Sequence, residues 1–362
     1  FSFDMRNCQN CILCANGRNL SYCIENVQYT KKEFEKKKAE ILSSYKSIEE
    51  TREKYKKLRA SAVVKYASSV KCNNATGDYM YNCHDGVNIF DVRNSKNSSY
   101  CADGEDPTDC HDCNNLYFKP ERCYNIMGTL QSTNSVVASY IMYCNETSYS
   151  DSCYNCTNCF GCAGLNKKNY YILNKEYGKE EYLKLKEEIV AQLKRGGIYG
   201  EFLPPALSPF GYNETLAKEY FPMTEKEAKE KGFNWQKETS GTYGKETIKE
   251  ENIPETISEV SEEILNEVLV CKDCKKNFRI TKSELDFYKR MNIPLPHKDF
   301  ECRHQDRMSK RNPRQLWHRF CMCELGNHVH GTEKCEVEFE TSYSPERTET
   351  IYCENCYQQE VS

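Results

Sequence analysis

Cysteine pairs at metal-ligand spacing open and close the C-terminal part of this chain: Cys271-Lys-Asp-Cys274 and Cys353-Glu-Asn-Cys356. Between them lie Cys302, Cys321, Cys323 and Cys335, with five of the chain's 7 histidines: His297, His304, His318, His328 and His330. Two residues between cysteines let both thiolates of a tight turn face one ion. A second pair from a distant turn then completes a tetrahedron. Free buried thiols have no reason to fall at this spacing, so the pattern predicts structural zinc.

Two other stretches carry chemistry-bearing side chains. Cys153, Cys156, Cys159 and Cys162 form an unbroken three-residue rhythm, echoed at Cys8, Cys11 and Cys14. An iron–sulfur run of ferredoxin type would need a wider last gap and a following proline. The rhythm therefore reads first as packed thiols at a corner of the chain and second as a metal site. Residues 303–319 carry six cations, Arg303, Arg307, Lys310, Arg311, Arg314 and Arg319, against one acid, with Trp317 among them. Such a stretch could meet phosphates while the indole stacks on a base; as a solvated segment with a core tryptophan it would do neither. Phosphate-cradling glycine loops, dinucleotide fingerprints and nucleophile elbows are all missing. A metallohydrolase would need an open zinc position beside a base, for which only Asp299 and Glu301 near Cys302 offer themselves.

The composition sets the frame. A chain of 362 residues allows two or three domains. Its net charge of −4 argues against a general polyanion binder. No signal-peptide pattern and no apolar run long enough for a membrane is read in these 362 residues, so no secretion is expected, and the 23 cysteines are odd in number. Thiols and metal in a reducing cytoplasm are then simpler than disulfides.

The elements that must position these residues follow a plan. Fifteen cysteines precede residue 163, none lie between 163 and 270, and eight follow. The segment Asn7–Cys14 recurs as Asn155–Cys162, and Tyr22, Ile24, Asn26, Tyr29, Lys31 and Glu33 recur as Tyr170, Ile172, Asn174, Tyr177, Lys179 and Glu181. The offset is 148 throughout. Each copy runs from a Cys/Asn-rich part into a charged helix. The first copy lacks most of that leading part, which predicts a longer natural chain upstream of Phe1. Cys83, Cys101, Cys123, Cys144 and Cys162 mark a second rhythm with short β-prone runs between them. A period of about 20 residues built of short strands and polar corners predicts a β-solenoid, with Asn, Ser, Thr and Cys stacked in ladders. Capping boxes at Thr30–Glu33 and Ser47–Glu50 open helices to about 44 and about 68. Residues 179–195 form another, stopped by Gly196-Gly197. Their apolar stripes would cover exposed strand edges. Short helices follow at about 213–220 and 224–231, and a Lys/Glu/Thr/Gly-rich stretch reads as linker.

The tail resembles the zinc-ribbon domain of an uncharacterised bacterial family common in ultra-small bacterial lineages. The likeness rests on Cys271-Lys-Asp-Cys-Lys-Lys-Asn-Phe-Arg-Ile-Thr281, Glu284–Tyr288, Ile293-Pro-Leu-Pro296, Arg311–Trp317, Thr341–Arg347 and Ile351–Tyr357. Asn155–Cys162, Ile172–Tyr177 and Leu207–Thr215 extend it over the Cys/Asn-rich repeat region. The resemblance implies zinc but no activity. A CoA-transferase label borne by some relatives finds no aspartate motif here. Where the family has a second Cys-x-x-Cys, this chain has Asp299-Phe-Glu-Cys302. The resemblance thus implies a first zinc site of Cys271, Cys274, Cys302 and Asp299, with His297 or His304 as substitutes for the oxygen ligand. For the second site Cys353 and Cys356 form one knuckle, and Cys335 with Cys321 or Cys323 the other. Cys321-Met-Cys323 is too tight for one knuckle, and Cys323 is preferred. His328 and His330 are left to a further ion or to the surface.

The expected molecule is mixed α and β: the end of a first solenoid module (1–29), a helical hairpin (30–70), a β-solenoid (71–175), a helical cap (176–236), a linker (237–265) and a zinc-ribbon domain (266–362). The expected function is that of a cytoplasmic, non-enzymatic zinc-binding scaffold for a protein partner. The alternatives are RNA binding through Arg303, Arg307, Lys310, Arg311, Arg314, Trp317 and Arg319, and metal-dependent hydrolysis. Neither a membrane nor a small-molecule substrate is expected.

Overall fold

The computed structural model describes residues 1–93, 114–117, 124–130, 132–237 and 241–361. Cys101 and Cys123 of the expected rhythm lie outside them.

The N-terminal half is built from very short strands: β1 (Gln9–Ile12), β2 (Ser21–Ile24) and β3 (Val27–Gln28), then β4 (Val63–Lys65), then β5 (Ser69–Val70), β6 (Gly77–Tyr81) and β7 (Ile89–Arg93). After these come β8 (Asn114–Tyr117), β9 (Tyr124–Leu130), β10 (Val136–Met142), β11 (Asn145–Ser148), β12 (Ser150–Asp151), β13 (Thr157–Phe160), β14 (Asn169–Ile172) and β15 (Lys175–Glu176). Most pairs are parallel, and the register usually steps by twelve residues: Gln9 faces Ser21, Val136 faces Tyr124, Thr157 faces Asn169.

The backbone explains the composition. From Asp4 to Glu25, and again from Ser152 to Leu173, every third residue is left-handed. Among residues with a Cβ, asparagine tolerates that conformation best. Asn7, Asn10, Asn16 and Asn19 occupy it in the first run, Asn155 and Asn158 in the second. Asparagine is therefore abundant because the chain turns at every third residue, and stacked amide ladders are a secondary benefit.

The expected β-solenoid of about 20 residues per coil is not what forms. Among the described residues the strands make small, separate sheets of two to four strands, none closed on itself, mixed with eight helices. The cysteine spacing misled because cysteine recurs wherever a three-residue turn buries its side chain. Cys144 and Cys162 span six such turns, not one coil.

The duplication is carried by the fold. β1, β2, β3 and helix α1 (Lys31–Ile41) recur as β13, β14, β15 and a later helix beginning at Lys179, each residue 148 further on. Phe34, 1% exposed, packs on Tyr22, and its counterpart Tyr182, 0% exposed, packs on Tyr170. Thr30 caps α1 through a reciprocal box with Glu33. Helix α2 (Tyr45–Ser61) follows, capped by Ser44 rather than by Ser47, whose N–H is the group satisfied. It stops at Ser61 because β4 begins. Helix α3 (Lys179–Arg195) ends at Gly196 and lays Tyr182, Leu185, Ile189 and Leu193 over Phe160 and Ile172. Short helices α4 (Ala217–Tyr220) and α5 (Glu225–Glu230) come next.

The C-terminal part has hairpins β16 (Leu269–Val270) with β17 (Asn277–Phe278) and β18 (Trp317–Phe320) with β19 (Glu338–Thr341), then strand β20 (Thr350–Tyr352). Helices α6 (Lys282–Met291), α7 (Phe300–Met308) and α8 (Glu354–Val361) stand beside them. Ile253, Ile257, Val260 and Ile264, inside the stretch expected to be linker, pack with Leu269, Leu285 and Leu295 in one core. Leu269 and Leu285 are fully buried, each contributing about 1.5–3 kcal/mol. The two halves interlock: β20 pairs in parallel with β4, and Tyr357 on α8 bonds to Asp4 and to Arg18 (2.9 Å).

Candidate metal centres

The first group assembles Cys271, Cys274, Asp299 and Cys302, whose ligand atoms all lie within 4.8 Å of one another. The β16–β17 hairpin forms the knuckle. Cys271 N–H bonds to Lys276 O (2.9 Å), Lys275 N–H bonds back to Cys271 O (3.1 Å), and Lys275 takes the left-handed conformation that turns the chain. The second half comes from the start of α7. Asp299 is its N-cap and accepts Cys302 N–H on Oδ1 (3.1 Å), while Cys274 Sγ donates to Oδ2 (2.9 Å). One carboxylate thus caps the helix with one oxygen and offers the other to the cluster, so aspartate can stand where a cysteine would otherwise serve. Burial alone would raise Asp299, but the hydrogen bonds from Cys274, Cys271 and Cys302 hold its carboxyl down at about 2. Lys298 ties Asp273 of the knuckle (2.6 Å) to Asp306 of α7 (2.9 Å).

His297 and His304 stand apart from this group. His297 stacks on Tyr45, ring centres 3.6 Å apart, and its Nδ1 lies 2.9 Å from Glu250. His297 O accepts Lys272 N–H (2.8 Å), so its backbone rather than its imidazole steadies the knuckle. His304 Nε2 lies 2.8 Å from Glu219.

The second group is Cys321, Cys335, Cys353 and Cys356, all buried, with ligand atoms again within 4.8 Å. Cys335 and Cys353 sulfurs are 3.9 Å apart, close to the roughly 3.8 Å edge of a tetrahedron with zinc–sulfur bonds of about 2.3 Å. Cys321 follows β18, Cys335 precedes β19, and Cys353 and Cys356 open α8. Cys353 O accepts the first helical bond, from Tyr357 (2.9 Å), so Cys353 and Cys356 hold the N-cap and N3 places that Asp299 and Cys302 hold on α7. The positive end of a helix faces the thiolates in both centres.

Cys321, not the preferred Cys323, completes this group. Cys323 instead joins His328, His330 and Cys356 in a third. His328 Nδ1 and His330 Nε2 lie 3.1 Å and 3.2 Å from Cys323 Sγ. The signal for both cysteines was in the sequence: residues two apart in extended chain share a face, so Cys321 and Cys323 serve neighbouring groups. Burial raises the thiol of Cys356, and that of Cys321 to about 11; a bound cation reverses that preference and expels the protons.

No family model, curated protein or solved structure matches this chain.

The remaining sequence candidates fall elsewhere. Cys153, Cys156, Cys159 and Cys162 are buried and, among the described residues, join no group of metal-ligand atoms. The cations of 303–319 are largely engaged within the protein. Arg303 pairs with Glu284 (3.1 Å), and Arg311 and Arg314 both reach Asp91 (3.1 and 2.9 Å). Arg314 also lies over the Tyr220 ring, and Arg319 donates to Ser344 O (3.0 Å). Trp317 is half-buried within β18. Arg307 and Lys310 are exposed. Among the described residues no helix is long and apolar enough to cross a membrane, and every cysteine is a free thiol.

Proposed function

We propose that the chain is a zinc-braced scaffold that works by holding a protein partner rather than by catalysis. The observation that carries this reading is the closed group of Cys321, Cys335, Cys353 and Cys356. Four buried thiols supply a whole tetrahedron and leave no position for a substrate, which is the mark of a structural site. Four sulfurs fit zinc or iron; the oxygen of Asp299 in the first group favours zinc. The centre also stands where bracing is needed. Its two helical cysteines open α8, and α8 carries the Tyr357 contacts to Asp4 and Arg18 and the Glu354 contact to Lys65 (2.6 Å). Thiols kept reduced for metal support a cytoplasmic setting in this reading. Elemental analysis of the purified chain tests it: zinc at two or more ions per chain is expected. A metal-free protein whose C-terminal part still unfolds cooperatively would overturn it.

A second reading is favoured by one cavity. A cleft of about 450 Å³ is lined by Arg52, Lys56 and Arg59 of α2 with Lys310 and Arg347, against Glu346 and Glu349. Lys310 is exposed by surface area, yet partial desolvation beside the cleft wall, then the nearby Arg52, lowers its ammonium, so an anion here would relieve crowded positive charge. On this reading RNA binding centres on this cleft rather than on the whole of 303–319. Binding of an RNA oligonucleotide that weakens with salt and with Lys310→Glu is the expected result. No binding at low salt would remove this reading.

A further inference from the structure

We infer that the C-terminal centre is binuclear, with the Cys356 thiolate bridging two metal ions. This rests on the zinc reading above and deepens it. Cys356 is the one residue common to the all-cysteine group and to the group of Cys323, His328 and His330.

The histidines are set up as ligands. His328 has Nδ1 toward Cys323 and Nε2 3.4 Å from the Glu360 carboxylate. His330 has Nε2 toward Cys323 and Nδ1 2.6 Å from Glu333 O. His330 Nδ1 faces a carbonyl, which can only accept, so its Nε2 lone pair is aimed inward; His328 Nε2 stands at ion-pair distance from a carboxylate, which favours the same arrangement with Nδ1 inward. That outward bond to a carboxylate or carbonyl is the usual support of a metal-bound imidazole. A thiol has a single proton, so the Cys323 S–H can satisfy only one of the two nitrogens that face it. A cation satisfies both. A thiolate–imidazole edge of a zinc tetrahedron is about 3.5 Å, so an ion would part each pair by a few tenths of an ångström.

Two imidazoles and the Cys323 thiolate leave one place in a tetrahedron, and the sulfur within reach is Cys356. That sulfur also completes the four-cysteine group, and a thiolate has lone pairs for two ions. Two divalent zinc ions would bind five thiolates and two neutral imidazoles. Each thiol that binds releases its proton to solvent, and no oxidant or reductant is needed. Two bonds of about 2.3 Å to one near-tetrahedral sulfur would set the ions roughly 3.8 Å apart. The second ion ties the Val329–His330 loop to α8, a link the four-cysteine group alone does not make.

The test uses the full chain. Zinc-loaded protein should hold three ions, and X-ray absorption at the zinc edge should show a zinc–zinc distance near 3.8 Å. Protein loaded with cadmium-113 should give three resonances, two of them split by mutual coupling through the shared sulfur. The double variant His328→Ala/His330→Ala should fall to two ions and lose the splitting, with Cys321, Cys335, Cys353 and Cys356 still holding theirs. Three ions without the short distance or the coupling would overturn the bridge, as would two ions in wild type. In both cases the scaffold reading survives. Fewer than two ions would sink both.

Discussion

Cys153, Cys156, Cys159 and Cys162 share the two-residue gaps of Cys271–Cys274 and Cys353–Cys356, yet the two regions use their thiols differently. In the repeat region the sulfurs serve the backbone. Cys144 Sγ donates to Cys153 O (3.3 Å) and accepts Cys156 N–H (3.4 Å). One register step earlier, Ser132 Oγ donates to Ile141 O (3.4 Å) and accepts Cys144 N–H (3.2 Å). Cysteine and serine are interchangeable there because the position asks for a short side chain that satisfies a buried amide. In the C-terminal region the thiols converge instead, because the cysteines of a hairpin, a knuckle in one centre and the two arms of β18–β19 in the other, meet a helix N-terminus that presents an N-cap–N3 pair. The spacing allows both uses. What separates them is whether a distant element delivers the other half of the tetrahedron.

The sharpest way to break this comparison is to remove the metal. Structural zinc contributes about 10–16 kcal/mol in small domains, more than such a region has in reserve. A strong chelator, or Cys321→Ser, should therefore abolish amide-exchange protection in α6, α7, α8 and the β18–β19 hairpin. Amides of β13, β14 and α3 should keep theirs. Equal loss in both regions, followed by hydrogen exchange, would mean that the repeat thiols also hold metal.

Asp299 offers an intermediate effect. Asp299→Asn keeps a good helix cap but loses the anionic oxygen, so metal affinity at the first centre should fall while α7 persists. Asp299→Ala should lose the cap as well, at about 1 kcal/mol more. Competition with a chromophoric chelator reads the first effect and denaturant unfolding the second. Unchanged affinity in Asp299→Asn would show that the carboxylate only caps.

In the repeat region, Cys144→Ser should be nearly neutral, since serine already does this work at 132. Cys144→Ala leaves the buried Cys156 N–H without its acceptor, at about 1–3 kcal/mol. Denaturation midpoints measured side by side decide it. A Ser variant as damaged as the Ala variant would mean that sulfur itself matters there.

Legibility followed the same division. The duplication could be read because its offset of 148 is constant, and most helix ends because they are local: Thr30 with Glu33, Thr224 with Glu227 and Gly196 after Arg195 are each settled within one turn. The grouping of Cys271, Cys274, Cys302 and Asp299 was anticipated through a resemblance. The solenoid was misread because the ladder step depends on backbone handedness, which no side-chain spacing reports directly. The tightness of Cys321-Met-Cys323 rules out one knuckle but does not say which cysteine joins Cys335, because the two side chains serve neighbouring groups. Which cations of 303–319 stay exposed depended on Asp91 and Tyr220, far away in sequence.

The smallest expected effect asks whether the β18–β19 hairpin, which carries Cys321 and Cys335, has any hold of its own. His318 faces two carboxylates across the ladder, Glu340 at Nδ1 and Glu338 at Nε2, each 3.1 Å away. The hydrogen bond to Glu340, then the charge of Glu338, raises its imidazole above the ordinary 6.5 despite slight desolvation. A raised value in the folded state means that the pair supports the hairpin fully below about pH 6.5 and fades as pH climbs through the folded value. The pair is on the surface, so its contribution to stability is small and salt-sensitive. NMR titration of His318 should give a value above the ordinary one, falling toward it in Glu340→Gln and at high salt. The same titration after chelation separates the two supports. If the raised value survives metal loss, the hairpin closes by itself and the ions only pin it to α8. If it reverts to the ordinary value, Cys321 and Cys335 reach the centre on strands that the metal itself brings together.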